Sequence, residues 1–158
     1  MTPPAWSDVV NDLKAAQRQV ERAEARHLAL ESRTGDDREA YELAIGKHLH
    51  DAYSATEKAL ERVIEMVDGN VPTGRSFHRD LIQRAAEPVE GVRPAIITPD
   101  SERAMLRLAS FRHVFRHAYS FFDYEMAAPN VAIAAEAIPR LREEIMAFAA
   151  ALGLHPRA

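Results

Sequence analysis

The sequence predicts an all-α protein. Apolar residues recur at helical rather than alternating spacing, and apart from Ile96-Ile97 the chain lacks the β-branched runs that strands require. A chain of 158 residues buries about 68–70% of its unfolded surface, which is enough for a self-sufficient core. No repeat or second domain is visible, so we expect a single domain over residues 1–158.

Local start and stop signals define the first three of about five helices. Ser7 is the expected cap of a charged first helix that ends near Ser32, and its thin apolar stripe (Val10, Leu13, Val20 and Leu28) predicts a largely solvated face. The segment 34–37 breaks the chain before a long second helix that ends at Asp68, ahead of Gly69. A short third helix is predicted from Ser76 to about Ala86.

Two further helices follow a loop that contains three prolines and one glycine. Thr98 as N-cap, with Pro99 at the first helical position, predicts a helix that runs to about Ser120. The last helix is expected from about Asp123 to Leu152, with a kink or break at Pro139.

Composition restricts the class of protein. The absence of cysteine excludes disulfides and thiolate zinc sites. The first residues lack the pattern of a signal peptide, and the longest apolar stretch, residues 145–154, is too short to span a bilayer. We therefore expect a soluble cytoplasmic protein without a membrane partner.

Charge is unevenly distributed along the chain. The net charge is −4, yet residues 103–117 hold four arginines, two histidines and no acidic residue. Such a segment could attract a phosphate backbone in a salt-dependent way. It could equally be a solvated basic helix face, and charge alone leaves both interpretations open.

The segment 112–119 contains the pattern R-x4-H-x-Y, formed by Arg112, His117 and Tyr119, with His113 directly after the arginine. This pattern resembles the signature of the HEPN superfamily, and the trailing tyrosine is similar to that of the HepT branch, whose members are ribonuclease toxins of toxin-antitoxin pairs. The segments 48–57, 68–72 and 77–81 also resemble the longer HepT-like proteins in order and distance. The resemblance covers roughly residues 40–150, whereas residues 1–35 form an additional N-terminal helix.

The resemblance implies a HEPN-like bundle that dimerises through the motif helix and forms one composite cleft. It implies a metal-independent endoribonuclease that needs no cofactor. Arg112 would hold the scissile phosphate, and His117 would act as general base or general acid. His113 and Arg116 would contact the RNA. The expected partners are a second copy of the chain, the RNA substrate and an MntA-like nucleotidyltransferase antitoxin, which the resemblance expects to adenylylate Tyr119.

Other interpretations remain open from the residues themselves. On a helical projection, Arg112, His113, Arg116 and His117 share one polar sector, which we expect to face outward while the aromatic residues pack inward. The arginines could instead pair with acids on neighbouring helices. His113 and His117 have zinc-chelating spacing, but no third ligand is evident.

The histidines outside the motif, together with Tyr53 and Glu57, are expected to be structural, although His50 or His78 could line the cleft. The alternative function is a non-catalytic HEPN module that binds a nucleotide or a partner protein.

Overall fold

A computed structural model describes residues 5–117 and 122–154, without the side chains of Val114, Arg116 and His117. Five α-helices are present in these residues: α1 (Trp6–Ala29), α2 (Gly35–Asp68), α3 (Phe77–Ala86), α4 (Pro99–His117) and α5 (Tyr124–Leu152). A 3-10 turn, Leu30–Ser32, follows α1, and no strand longer than the single bridge between Val89 and Arg93 occurs among the described residues. The all-α prediction is therefore confirmed.

Helix α2 is the centre of the bundle, because it contacts each of the other four helices. One face of α2 is buried from Ile45 to Ile64, at Ile45, Leu49, Ala52, Leu60 and Ile64. Its end follows the predicted signal, since Gly69 adopts a left-handed φ of 79° that a side chain would strain. The predicted limits of this helix are confirmed.

Helix α1 differs from its prediction at its start and on its surface. It begins at Trp6 with Ala5 as N-cap, so Ser7 is not the cap; Asp8 instead accepts a hydrogen bond from the Ala5 N–H at 3.1 Å. The helix also packs on α2 and α5 through a fuller stripe than expected, because two alanines complete it: Val9, Leu13, Ala16, Val20 and Ala23 are all buried. Leu28, which we placed in the stripe, is 81% exposed.

Arg93 organises the proline-containing loop between α3 and α4. Its guanidinium is buried and donates to both carboxylate oxygens of Asp68, at 2.7 and 3.1 Å. It also donates to the carbonyls of Arg84, Glu87 and Pro94. The loop is thereby fixed to the end of α2, and Ile96 and Ile97 enter the core behind it.

The start of α4 is tied to α5. Glu144 accepts hydrogen bonds from the Thr98 N–H and the Ser101 hydroxyl, both at 2.7 Å, and the Thr98 hydroxyl caps the Ser101 N–H at 3.4 Å. The predicted start of α4 is confirmed, and the helix is anchored at its N-terminal end. The break that we expected at Pro139 does not occur, since α5 continues through both of its prolines to Leu152.

Candidate functional site

The motif helix packs on the bundle through its aromatic residues, as predicted. Leu108, Phe111 and Phe115 are buried. Arg112, however, does not face outward: it is half-buried and its Nη1 lies 3.3 Å from Nε2 of His78 on α3. Our outward orientation was wrong for this residue, because α3 packs on the side of α4 that the helical projection assigned to solvent. His113 is exposed, as expected.

His78 is held from its other side by a buried acid. Oε2 of Glu57 lies 2.5 Å from Nδ1 of His78 and 2.5 Å from the hydroxyl of Tyr53. Burial, with the neighbouring Glu57 carboxylate, raises the pKa of Tyr53 above its ordinary range, so the phenol stays protonated and donates. The carboxylate of Glu57 therefore accepts two hydrogen bonds in a site where it is only 8% exposed.

These contacts determine which nitrogen of His78 carries the proton. The carboxylate of Glu57 can only accept, so Nδ1 of His78 donates to it. In the neutral ring, Nε2 then has a free lone pair, which accepts from the Arg112 guanidinium. We call the chain of Glu57, His78 and Arg112 the relay; it joins α2, α3 and α4 and fixes the orientation of the motif arginine.

The positive charge of Arg112 is not neutralised by an acid within the described part of the chain. Its hydrogen bond there goes to Nε2 of His78, and its buried Nε has no partner among the described residues. Among the described residues, Arg112 thus does not form the ion pair with a neighbouring helix that the alternative interpretation required. The guanidinium has further N–H donors with which it could bind an anion.

A groove between α3 and α4 runs beside the relay. Its volume is about 580 Å³, and we call it the α3–α4 groove. Polar and cationic side chains form most of its lining: Arg75, Ser76, His78, Arg79, Ser110 and His113. His78 lines the groove and contacts Arg112, which is not itself a lining residue, so one side chain links the groove to the motif arginine.

Three candidate site residues have side chains outside the described part of the structure. The backbone of Arg116 and His117 belongs to α4, but their side chains are not among those described. Tyr119 falls within residues 118–121, which also lie outside it. The structure therefore brings together Arg112, His78 and His113. The positions of the Arg116, His117 and Tyr119 side chains stay predictions.

The histidines of α2 are separate from the relay. Nδ1 of His48 lies 2.7 Å from Oε1 of Gln19, which links α2 to α1, and burial together with Arg26 lowers the pKa of His48. The ring of His50 packs on Phe115 with centroids 6.0 Å apart. His78 lines the α3–α4 groove, whereas a contribution of His50 or His78 to a cleft between two copies of the chain stays a prediction.

Sequence reasoning expected Glu57 and Tyr53 to be structural, and it did not foresee that Glu57 holds the histidine that contacts Arg112. Tyr53, which donates a hydrogen bond to Glu57, has the structural role that was expected. A signal for the role of Glu57 exists in the sequence, because Glu57 lies on the apolar face of α2 four residues after Tyr53. A carboxylate on a buried face needs hydrogen-bond partners. The identity of those partners depends on how α3 and α4 pack, which the local sequence does not specify.

The described residues contain no group of three or more histidines, cysteines or acids that could hold a metal ion. Among them there is also no helix with the length and apolar character to cross a membrane.

Comparison with known proteins identifies the class of this bundle. A family model described as HepT-like protein matches residues 44–152, which is more than half of the chain. The chain therefore belongs to the HepT-like family of the HEPN superfamily, a family of toxin-like proteins. Neither the curated proteins nor the solved structures that were compared with the chain gave a match. The matched segment begins within α2 and ends with α5, so α1 lies outside it.

Proposed function

We propose that this protein is a metal-independent endoribonuclease toxin of a toxin-antitoxin pair. The observation that carries the proposal is the guanidinium of Arg112, which contacts Nε2 of His78 and is not paired with a carboxylate among the described residues. Membership of the HepT-like family and the intact R-x4-H-x-Y pattern support it.

Arg112 binds the non-bridging oxygens of the scissile phosphate by charge-assisted hydrogen bonds, which strengthen as negative charge develops in the transition state. His117 removes the proton of the RNA 2′-hydroxyl or protonates the leaving 5′-oxygen, since an imidazole exchanges protons near neutral pH. The 2′-oxygen attacks phosphorus and the bond to the 5′-oxygen breaks. The products are a 2′,3′-cyclic phosphate, which can open to a 3′-phosphate, and a 5′-hydroxyl.

The active form is a homodimer in which the motif helices lie beside a two-fold axis. A symmetric contact duplicates each group, so two copies of His117 can serve as base and acid. Arg116 and His113 contact the RNA in the same cleft. Light scattering at micromolar concentration is expected to give twice the mass of one chain, and a strict monomer would contradict the composite site.

The partner is an MntA-like nucleotidyltransferase antitoxin that adenylylates Tyr119 in the cytoplasm. Tyr119 lies seven positions after Arg112, so on a continuous helix an added AMP would lie near the phosphate site. Intact mass after co-expression is expected to show adenylyl groups on wild type but not on Tyr119→Phe. An unmodified yet fully inhibited wild type would point to steric blockade instead.

The function is tested by the chemistry of the products. Purified protein should cleave RNA in excess chelator, because neither group named above needs a metal. The products should carry 2′,3′-cyclic or 3′-phosphate and 5′-hydroxyl ends, and a single 2′-deoxy substitution should block cleavage at that position only. Cleavage that requires a divalent ion, or that leaves 5′-phosphate ends, would overturn the proposal. Binding of RNA without cleavage would favour the non-catalytic module.

A further inference from the structure

The α3–α4 groove has the lining of an anion site in a protein that is acidic as a whole. Arg75 and Arg79 line it, and neither has an ion pair with any described residue. No carboxylate is among the lining residues, whereas the chain as a whole has a net charge of −4. Two uncompensated guanidinium groups in a concave site attract an anion more strongly than two on a flat surface.

The size and chemistry of the groove indicate which anion it takes. A volume of about 580 Å³ is that of a pocket for a drug-sized group, so the groove takes a short stretch of a strand and not a whole duplex. The hydroxyls of Ser76 and Ser110 add further donors. Arginines, hydroxyls and histidines dominate the polar lining, and phenylalanine, tyrosine and tryptophan are absent from the lining described, so the groove offers chiefly donors for a backbone.

We propose that the α3–α4 groove binds the phosphate backbone of a single-stranded RNA segment next to the cleavage site, with Arg75 and Arg79 contacting phosphates. The inference rests on the proposed function, because it places the substrate of that same site. A strand in the groove passes His78, whose Nε2 contacts Arg112, and so it delivers an adjoining phosphate to the motif arginine. Because these arginines bind the backbone, the groove contributes affinity without base preference.

The test is the affinity of full-length protein for a 2′-O-methyl RNA oligonucleotide, which cannot be cut, at several salt concentrations. For Arg75→Ala/Arg79→Ala we expect affinity at low salt to fall roughly fivefold to thirtyfold, as for two partly exposed ionic interactions. The slope of log affinity against log salt should decrease by about 0.7 for each phosphate that the variant no longer neutralises. The fall in affinity should be similar for oligonucleotides of different sequence.

Two further variants separate a specific site from general charge. Arg18→Ala/Arg22→Ala removes two exposed arginines at the same spacing from α1 and should leave affinity and salt slope at wild-type values. Arg75→Lys/Arg79→Lys keeps the charge and should retain most of the salt slope.

The inference is overturned if the alanine variant keeps wild-type affinity and slope, or if the α1 control loses as much affinity. Wild type that binds no RNA, or that binds a duplex through Arg75 and Arg79 as tightly as a single strand, also overturns it. A wild type that cuts RNA while the alanine variant binds normally removes only this inference. A wild type that binds through Arg75 and Arg79 but never cuts removes only the proposed activity.

Discussion

Glu57 acts on the motif arginine through an intervening histidine. Its carboxylate accepts from Nδ1 of His78 and so leaves Nε2 to accept from Arg112. In Glu57→Gln, the neutral amide no longer favours this tautomer, and a proton on Nε2 would turn the hydrogen bond to Arg112 into a clash of donors. We expect single-turnover cleavage to slow roughly 10- to 100-fold, as for a displaced catalytic group. RNA affinity should stay close to wild type.

Tyr53→Phe is the matched control for this prediction. It removes the second hydrogen bond to Glu57 and leaves the hydrogen bond between Glu57 and His78 in place. We expect the free energy of unfolding to fall by about 1 kcal/mol, with cleavage near the wild-type rate. If Glu57→Gln is folded and cuts as fast as wild type, the relay does not position Arg112.

Single residues were only partly predictable from the sequence. Arg112, His117 and Tyr119 stand out because a short linear pattern contains all three. Glu57 and His78 are 21 residues apart, and they meet only because α3 folds back onto α2 and α4. The projection of one helix also misplaced Arg112, since it takes no account of the neighbour that covers it.

At the level of helices, the sequence predicted most boundaries because the signals are local. Gly69 and Gly153 end α2 and α5 with left-handed φ values of 79° and 67°, and Thr98-Pro99 begins α4. Ser7 failed as a cap because the buried Trp6 lies inside the helix and Asp8 supplies the capping acceptor. The expected break at Pro139 is absent from α5, because the packing of a largely buried helix face outweighs the backbone hydrogen bonds that proline removes.

The end of α4 approaches α2 closely at Gly46. A Cβ on Gly46 would lie 2.9 Å from ring atoms of both Phe115 and Phe122, which pack edge to face on each other. In Gly46→Ala, a gain in helix propensity of about 1 kcal/mol opposes an overpacking cost of about 1–3 kcal/mol. We expect the free energy of unfolding, measured by denaturant titration, to fall by up to about 2 kcal/mol.

Ala44→Gly, at a half-buried position shortly before Gly46 in α2, measures the propensity contribution alone. It should lower the free energy of unfolding by about 1 kcal/mol. A Gly46→Ala protein that is about 1 kcal/mol more stable than wild type would contradict this prediction. It would show that the rings of Phe115 and Phe122 move aside freely and that their packing does not require glycine at position 46 of α2.

At the scale of the whole molecule, the bundle holds the motif helix α4 in the position that the proposed RNA cleavage requires. The bundle holds α4 at its start through Glu144 and along its length through the relay, so the motif helix is fixed against α2, α3 and α5. The net charge of the chain is −4, yet Arg75 and Arg79 line one groove together with His78, which also contacts Arg112. Composition cannot reveal such a local concentration, because it depends on which helices adjoin.

The most direct measurement is the single-turnover rate of RNA cleavage in excess chelator for wild type, Arg112→Ala and His117→Ala, with Arg107→Ala as control. Arg107 is an exposed arginine of the same helix, so its variant removes the same charge without touching the motif. We predict that the rate falls roughly 10²- to 10³-fold for Arg112→Ala and 10²- to 10⁴-fold for His117→Ala, with Arg107→Ala within about threefold of wild type. Equal rates for all four proteins, each folded and equally pure, would contradict the account.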